Sequence, residues 1–341
     1  MEWSPFHGAM YAVIESVAKM VALGGRADKI RLTFQEYFES LGTDSRKWGR
    51  PFAALLGALW AQHQLEIPAI GGKDSMSGTF MDLTVPPTLT SFAVDVMKAD
   101  NALSPEFKVA GSKVYYVPMP KDKLAMPDFR KLRDTYEKVS NFIAAKKVFA
   151  ASSVRMGGTA AAITKMCLGN GIGFRFNSKP SMEDLFKADY GALILEVAPD
   201  SDIKEALAGT GCYELGTTTQ NSNIVAGEAV IGFAEAKKAY TSPLEKIFPT
   251  KVKVGEKKTA SEYIYTGGNR VTPKVGIAKP KIFIPVFPGT NCEYDTARAF
   301  SRAGGDPETL VIRNLTPQAV EESVEAIVKG IKASQIVMLP G

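Results

Sequence analysis

The sequence predicts a chain of α/β and α+β domains, and three observations carry that expectation. Short apolar runs of strand length alternate with amphipathic helical runs along most of the chain. The run Lys281 to Val286 passes into Phe287-Pro288-Gly289-Thr290-Asn291-Cys292-Glu293-Tyr294-Asp295 and then a helical stretch ending at Gly304-Gly305, which reads as the first strand, turn and helix of a new α/β unit. Ahead of it, residues 251–277 are rich in Lys, Gly and Thr, the composition of a linker.

In chain order, Met10, Val13, Ile14, Val17 and Val21 fall at helical spacing, with Gly24-Gly25 as the stop. Pro51 to Gln64 predicts a second helix, and Ile67 to Ile70 a short buried strand that opens into a turn, Gly71-Gly72-Lys73-Asp74-Ser75-Met76-Ser77-Gly78. Leu89 to Val96 predicts a strand with Phe92, Val94 and Val96 on one face. A polar stretch near residue 105 marks a boundary, after which Val114 to Val117, Ala192 to Val197 and Ala229 to Phe233 predict strands and Gly158 to Leu168 a helix. In the last unit Leu310 to Ile312 and Ile336 to Leu339 predict strands. Between them Thr316 caps a helix with Pro317 at its first position and Val320, Val324, Ile327, Val328 and Ile331 on one face. The alternation implies parallel sheets with right-handed crossovers. The chain stops at Gly341, inside Val337-Met338-Leu339-Pro340-Gly341. A doubly wound domain needs roughly a hundred residues to close a core, so the last domain is expected to be cut short.

Composition narrows the function classes. The 341 residues are 45% hydrophobic and 23% charged, with a net charge of +5 that is spread rather than striped. That distribution fits a small anionic substrate only weakly, and nucleic acid no better. The longest apolar stretches are too short to span a bilayer, and the first residues do not form a signal peptide, so a cytoplasmic location is expected. Three widely separated cysteines form no CxxC pair, and two histidines exclude a multi-histidine metal site within these residues.

The glycine-rich motifs need discrimination. A Walker A loop would need glycine where Ile67 stands, and Ser or Thr where Asp74 stands. Gly71 to Ser77 nonetheless offers backbone N–H groups, one cation and hydroxyls suited to an anion. Gly169-Asn170-Gly171-Ile172-Gly173 follows a helix and precedes a strand, the reverse of a dinucleotide fingerprint. Cys292 lacks the small flanking residues of a nucleophile elbow and has no histidine in its unit, so it reads as structural. Glu15 lies off the apolar stripe of the first helix and reads as solvated.

Taken together, Ala69-Ile70-Gly71-Gly72-Lys73-Asp74-Ser75-Met76-Ser77 and Val286-Phe287-Pro288-Gly289-Thr290-Asn291-Cys292-Glu293 resemble phosphoribosylformylglycinamidine synthase, the large glutamine-dependent ligase of purine biosynthesis. The resemblance covers essentially the whole chain. It implies that residues 1–105 are the later part of the second aminoimidazole ribonucleotide synthetase-like N-terminal-type domain and 106–250 the matching C-terminal-type domain. After the linker, 278–341 would open a class I glutamine amidotransferase (flavodoxin-like) domain. The implied parent uses ATP and Mg²⁺ to convert formylglycinamide ribonucleotide and glutamine to formylglycinamidine ribonucleotide, ADP, phosphate and glutamate.

The resemblance also implies site residues. Gly71, Gly72, Lys73, Asp74, Ser75 and Ser77 would contact substrate, phosphate or a neighbouring synthetase domain. Gly289, Asn291 and Gly341 would belong to the glutaminase site, whose catalytic Cys, His and Glu would lie beyond Gly341, leaving this chain alone inactive. Glu15 matches the first residue of a Glu…Asn metal–nucleotide pair, but Lys19 stands at the Asn position, and Ser152-Ser153-Val154-Arg155-Met156-Gly157-Gly158 lacks the expected acids. The auxiliary nucleotide site is therefore expected to be altered or lost. The implied partners are the rest of the glutaminase and the other synthetase half, and the alternative is a non-catalytic scaffold subunit pairing with that half.

Overall fold

The computed structural model describes all residues except Lys179, Asp200, 252–266 and 268–275, so the linker predicted at 251–277 lies almost wholly outside the described residues. The chain divides into two compact units, Met1–Lys253 and Val254–Gly341.

The first unit opens with α1 (Pro5–Ala22), capped by the Ser4 hydroxyl, which accepts from the His7 N–H, and begun by Pro5 at its first position. Its stripe of Val13, Ile14, Val17 and Val21 is wholly buried, as the periodicity predicts. Then come β1 (Arg31–Tyr37), α2 (Ser45–Leu65), β2 (Ala69–Ser75), a small hairpin of β3 (Thr79–Phe80) and β4 (Leu83–Thr84), and β5 (Thr88–Val94). They make a three-stranded sheet of order β2-β1-β5, with β1 parallel to β2 and antiparallel to β5. Helices α1 and α2 pack tightly: a Cβ on Gly57 would sit 2.0 Å from the Phe6 carbonyl oxygen, so only glycine allows this approach.

Two expectations for this region change. Helix α2 starts at Ser45, six residues before Pro51, because the Asp44 carboxylate accepts the Arg46 N–H and opens the helix there. The predicted buried strand at 67–70 is displaced: β2 runs through Gly71 to Ser75 as an exposed edge strand, so the predicted turn is extended backbone over those five residues. In β5, Phe92 and Val94 share one face as predicted, with Val96 just beyond the strand; that face is exposed, while Leu89 turns into the core.

The remainder of this unit comprises β6 (Lys113–Val117), α3 (Phe129–Ala144), β7 (Val148–Ser153), α4 (Gly158–Asn170) and β8 (Gly173–Phe176). It continues with α5 (Met182–Phe186), β9 (Leu193–Val197), α6 (Ile203–Ala206), β10 (Tyr213–Thr219), β11 (Asn223–Ala226), β12 (Ala229–Gly232) and α7 (Phe233–Thr241). The strands form one sheet of order β12-β11-β8-β10-β6-β9-β7 in which only the β8–β11 pair is parallel. The parallel sheet implied by alternation is corrected here, and the physical reason is insertion. Helices α3 and α4 do join like-directed strands, β6 to β7 and β7 to β8, but β9 and β10 return between them antiparallel. The boundary expected near residue 105 falls between the two sheets of this unit.

In the second unit β13 (Lys281–Val286), α8 (Glu293–Arg302), β14 (Asp306–Val311), α9 (Pro317–Ala333) and β15 (Ile336–Val337) form a three-stranded parallel sheet of order β14-β13-β15 with its helices. The predicted cap is present: Thr316 Oγ1 accepts the Ala319 N–H, with Pro317 at the first helical position. Gly330 lets α9 approach β13, since a Cβ there would lie 2.4 Å from the Phe283 ring. Ile282, Phe283 and Ile284 are buried, whereas Val320, Val324, Val328 and Ile331 stay largely exposed.

Candidate functional site

Strand β2 carries the residues singled out from sequence. Its register pairs Thr33 with Gly71, Gln35 with Lys73 and Tyr37 with Ser75, and these lie on one face of the sheet. Gly72 and Asp74 lie on the other, opposite Phe34 and Glu36. The strand therefore splits the motif. The Lys73 ammonium stands 5.8 Å from the centroid of the Tyr37 ring, a cation–π arrangement on the open face. Asp74 joins Glu36 on the helix-covered face, and Ser77 lies in the loop after the strand.

Glu36 is the residue that sequence reasoning missed. It is only 7% exposed. Burial, and secondarily the Asp74 carboxylate, push its carboxyl up to about 7 from the ordinary 4.5. The signal was present: Leu32, Phe34, Glu36 and Phe38 share one phase of an alternating strand, and a carboxylate in the buried phase is unusual.

The shift has a stability consequence. A folded pKa above the unfolded one means the native state holds the extra proton, so stability is highest below about pH 4.5 for this group and falls as pH rises towards about 7. The expected loss is on the order of 2–3 kcal/mol. Urea midpoints across that window should decline in the parent chain, and Glu36→Gln should flatten the decline. An unchanged slope in the variant would place the titration elsewhere.

Glu15 on α1 is engaged by two cations. Its Oε1 lies 2.8 Å from Lys19 Nζ and 3.5 Å from Arg155 Nη1, the latter reaching from the loop between β7 and α4. No group of three His, Cys, Asp or Glu side chains suited to a metal occurs among the described residues. A carboxylate already neutralised by an ammonium and a guanidinium, with no second acid beside it, does not fit a divalent cation. No hydrogen bond or ion pair links Glu15 to residues 71–77 among the described residues.

In the second unit Gly289, Asn291 and Gly341 do come together. The Asn291 N–H donates to the Gly341 carbonyl oxygen at 2.5 Å, and Asn291 Nδ2 donates to the Gly289 carbonyl oxygen at 3.3 Å. This places the loop after β13 against the segment after β15, at the carboxyl ends of parallel strands, where open α/β sheets bind ligands. Cys292 is the N-cap residue of α8, in the left-handed region (φ 66°), and is exposed.

A half-buried acid, Asp189, accepts several donors near β6. Asp189 Oδ2 accepts from the Tyr116 hydroxyl at 2.5 Å and the Met119 N–H at 3.2 Å, and its Oδ1 accepts from Lys121 Nζ at 2.5 Å. Burial first, then Asp189, push the Tyr116 hydroxyl well above its ordinary value, so this phenol stays protonated as a donor.

Comparison with known proteins bears on both units. Residues 279–341 match the CobB/CobQ-like glutamine amidotransferase domain family. A phosphoribosylformylglycinamidine synthase subunit PurL from Picrophilus torridus is 26% identical over 276 residues, covering 71% of this chain and 35% of that protein. The PurLQS structure from Thermotoga maritima aligns with TM-score 0.56 at 15% identity, over 69% of this chain and 42% of that one. The T. maritima PurL complexed with FGAR aligns with TM-score 0.54 at 12% identity, over 68% and 43%. The fold is PurL-like, followed by part of a glutamine amidotransferase domain. The chain spans about a third of the length of the curated relative it matches. No helix among the described residues is long and apolar enough to cross a membrane.

Proposed function

We propose that this chain supplies the C-terminal synthetase region, and the opening of the glutaminase domain, of a glutamine-dependent phosphoribosylformylglycinamidine synthase. The observation that carries this reading is the succession in one polypeptide of a PurL-like fold and an amidotransferase segment at 279–341. The curated relative is named as a subunit, whereas here both parts share one chain, as in the large form of the ligase.

In the proposed reaction ATP phosphorylates the formamide oxygen of formylglycinamide ribonucleotide to an iminophosphate. Ammonia from glutamine adds to that carbon and phosphate leaves, giving the amidine, ADP, phosphate and glutamate. No step is assigned to a metal held by this chain, because the Glu15 set does not fit one. The remaining synthetase half and the rest of the glutaminase are the partners this reading requires. Gly289, Asn291 and Gly341 would supply part of the glutaminase site wall.

Within this reading Lys73 contributes the exposed cation of the β2 edge, placed to meet phosphate or an adjoining synthetase domain, with Gly71, Ser75 and Ser77 offering close backbone approach and hydroxyls. Gly72 and Asp74, on the opposite face, would shape that edge from behind. Lys73→Ala in the complete ligase is expected to lower kcat/KM about tenfold or more, equivalent to roughly 1.4 kcal/mol of transition-state stabilisation. Steady-state constants equal to those of the parent would reduce the segment to a plain edge strand.

A further inference from the structure

Between the helix-covered face of β1–β2 and α2 lies a cavity of about 300 Å³. Gly71 and Gly72 form part of its floor, and Trp48, Phe52 and Leu55 of α2 form an apolar wall. Trp48 and Phe52 are 54% and 62% exposed, so aromatic surface stands at the mouth. Glu36 lines the interior, more than nine-tenths buried, and has no hydrogen-bond or ion-pair partner among the described residues. Asp74 lines it too, paired with Glu36 in the register of adjacent strands. The α2 side adds only uncharged groups, and Gln62 is already occupied, donating to the Ala58 carbonyl and accepting from the Ala69 N–H.

We propose that this cavity binds a planar organic cation, an amidinium or guanidinium, held by Glu36 and Asp74 and stacked on the α2 aromatics. A buried carboxylate without a donor is costly, and a forked N–H donor satisfies two acceptor oxygens at once. Adjacent strands stand about 4.8 Å apart, a separation that a guanidinium-sized fork bridges. Aromatic faces attract such cations further, and an anion would meet two like charges. The source is a small amidine or an arginine side chain of a polypeptide. Binding requires Glu36 ionised, and since Glu36 and Asp74 are the only ionisable groups lining the cavity among the described residues, affinity rises with pH through about 7.

The test is calorimetric titration of the full 341-residue chain with benzamidine, with N-acetyl-argininamide and with neutral benzamide. The expected result is cation binding that benzamide fails to match by about tenfold, that strengthens from about pH 6 to about pH 8, and that weakens about tenfold in Glu36→Gln. Asp74→Asn, on an exposed strand position, provides a second variant that does not disturb the core. Tighter binding of N-acetyl-argininamide assigns an arginine source, and tighter binding of benzamidine a small amidine. Equal binding of benzamide and benzamidine, no cation binding at millimolar concentration, or parental affinity in both folded variants would overturn the proposal.

Discussion

Tyr136→Ala should be among the most destabilising single substitutions in the first unit, lowering its stability by about 3–5 kcal/mol. Tyr136 is wholly buried on α3, and its hydroxyl donates to the Gly191 carbonyl oxygen at 2.9 Å. Gly191 sits at φ 98°, with Ile14 of α1 and Met119 so close that a Cβ there would lie 2.7 Å from each. The ring thus fills the junction of α1, α3 and the turn into β9. Truncation removes its contacts and also leaves a buried carbonyl without its donor. Tyr136→Phe separates the two terms, because it keeps the packing and should cost only about 1–2 kcal/mol. Urea unfolding of the chain, followed through the transition of the first unit, measures both. A loss below about 1 kcal/mol in Tyr136→Ala would mean the junction repacks.

Glu196→Ala should cost a similar amount, about 3–5 kcal/mol, by a different mechanism. Glu196 is fully buried on β9, and its two carboxylate oxygens accept the Lys108 N–H at 2.8 Å and the Val109 N–H at 2.9 Å. Burial pushes its carboxyl up while these two donors pull it down, and burial prevails. The side chain replaces a missing strand partner for the segment that leads into β6. Removing it leaves two part-buried amides without their acceptor, so Lys108 and Val109 should lose hydrogen-exchange protection selectively. Retained protection of both amides would show that another acceptor takes over.

Much of this architecture was legible. The α1 stripe and the Gly24-Gly25 stop are local signals, and local signals survive folding. The same holds for Thr316-Pro317 and for the β13–loop–α8 sequence. What failed depends on distant partners. Strand β1 escaped notice because Glu36 breaks its apolar phase, and only the cavity under α2 explains that break. Glycine at 71 and 72 suggested a turn, but pairing with β1 holds those residues extended, and a Cβ on Gly72 would lie 2.9 Å from the Phe34 carbonyl. The insertion of β9 and β10 between like-directed strands leaves no trace in local periodicity. Of the site, Gly289, Asn291 and Gly341 meet as a set, whereas the 71–77 motif divides across two faces. Lys19, four residues after Glu15 on one helix, is a cation visible from sequence, and Arg155 adds the second from a distant loop.

The most direct test of the central proposal is the activity of the complete translated polypeptide that carries residues 1–341. Incubated with formylglycinamide ribonucleotide, ATP and glutamine, it should form formylglycinamidine ribonucleotide, releasing one phosphate for each amidine. Omission of any one reactant should stop product formation, except that free ammonia should replace glutamine. A folded polypeptide that leaves the ribonucleotide untouched under these conditions would contradict the proposal.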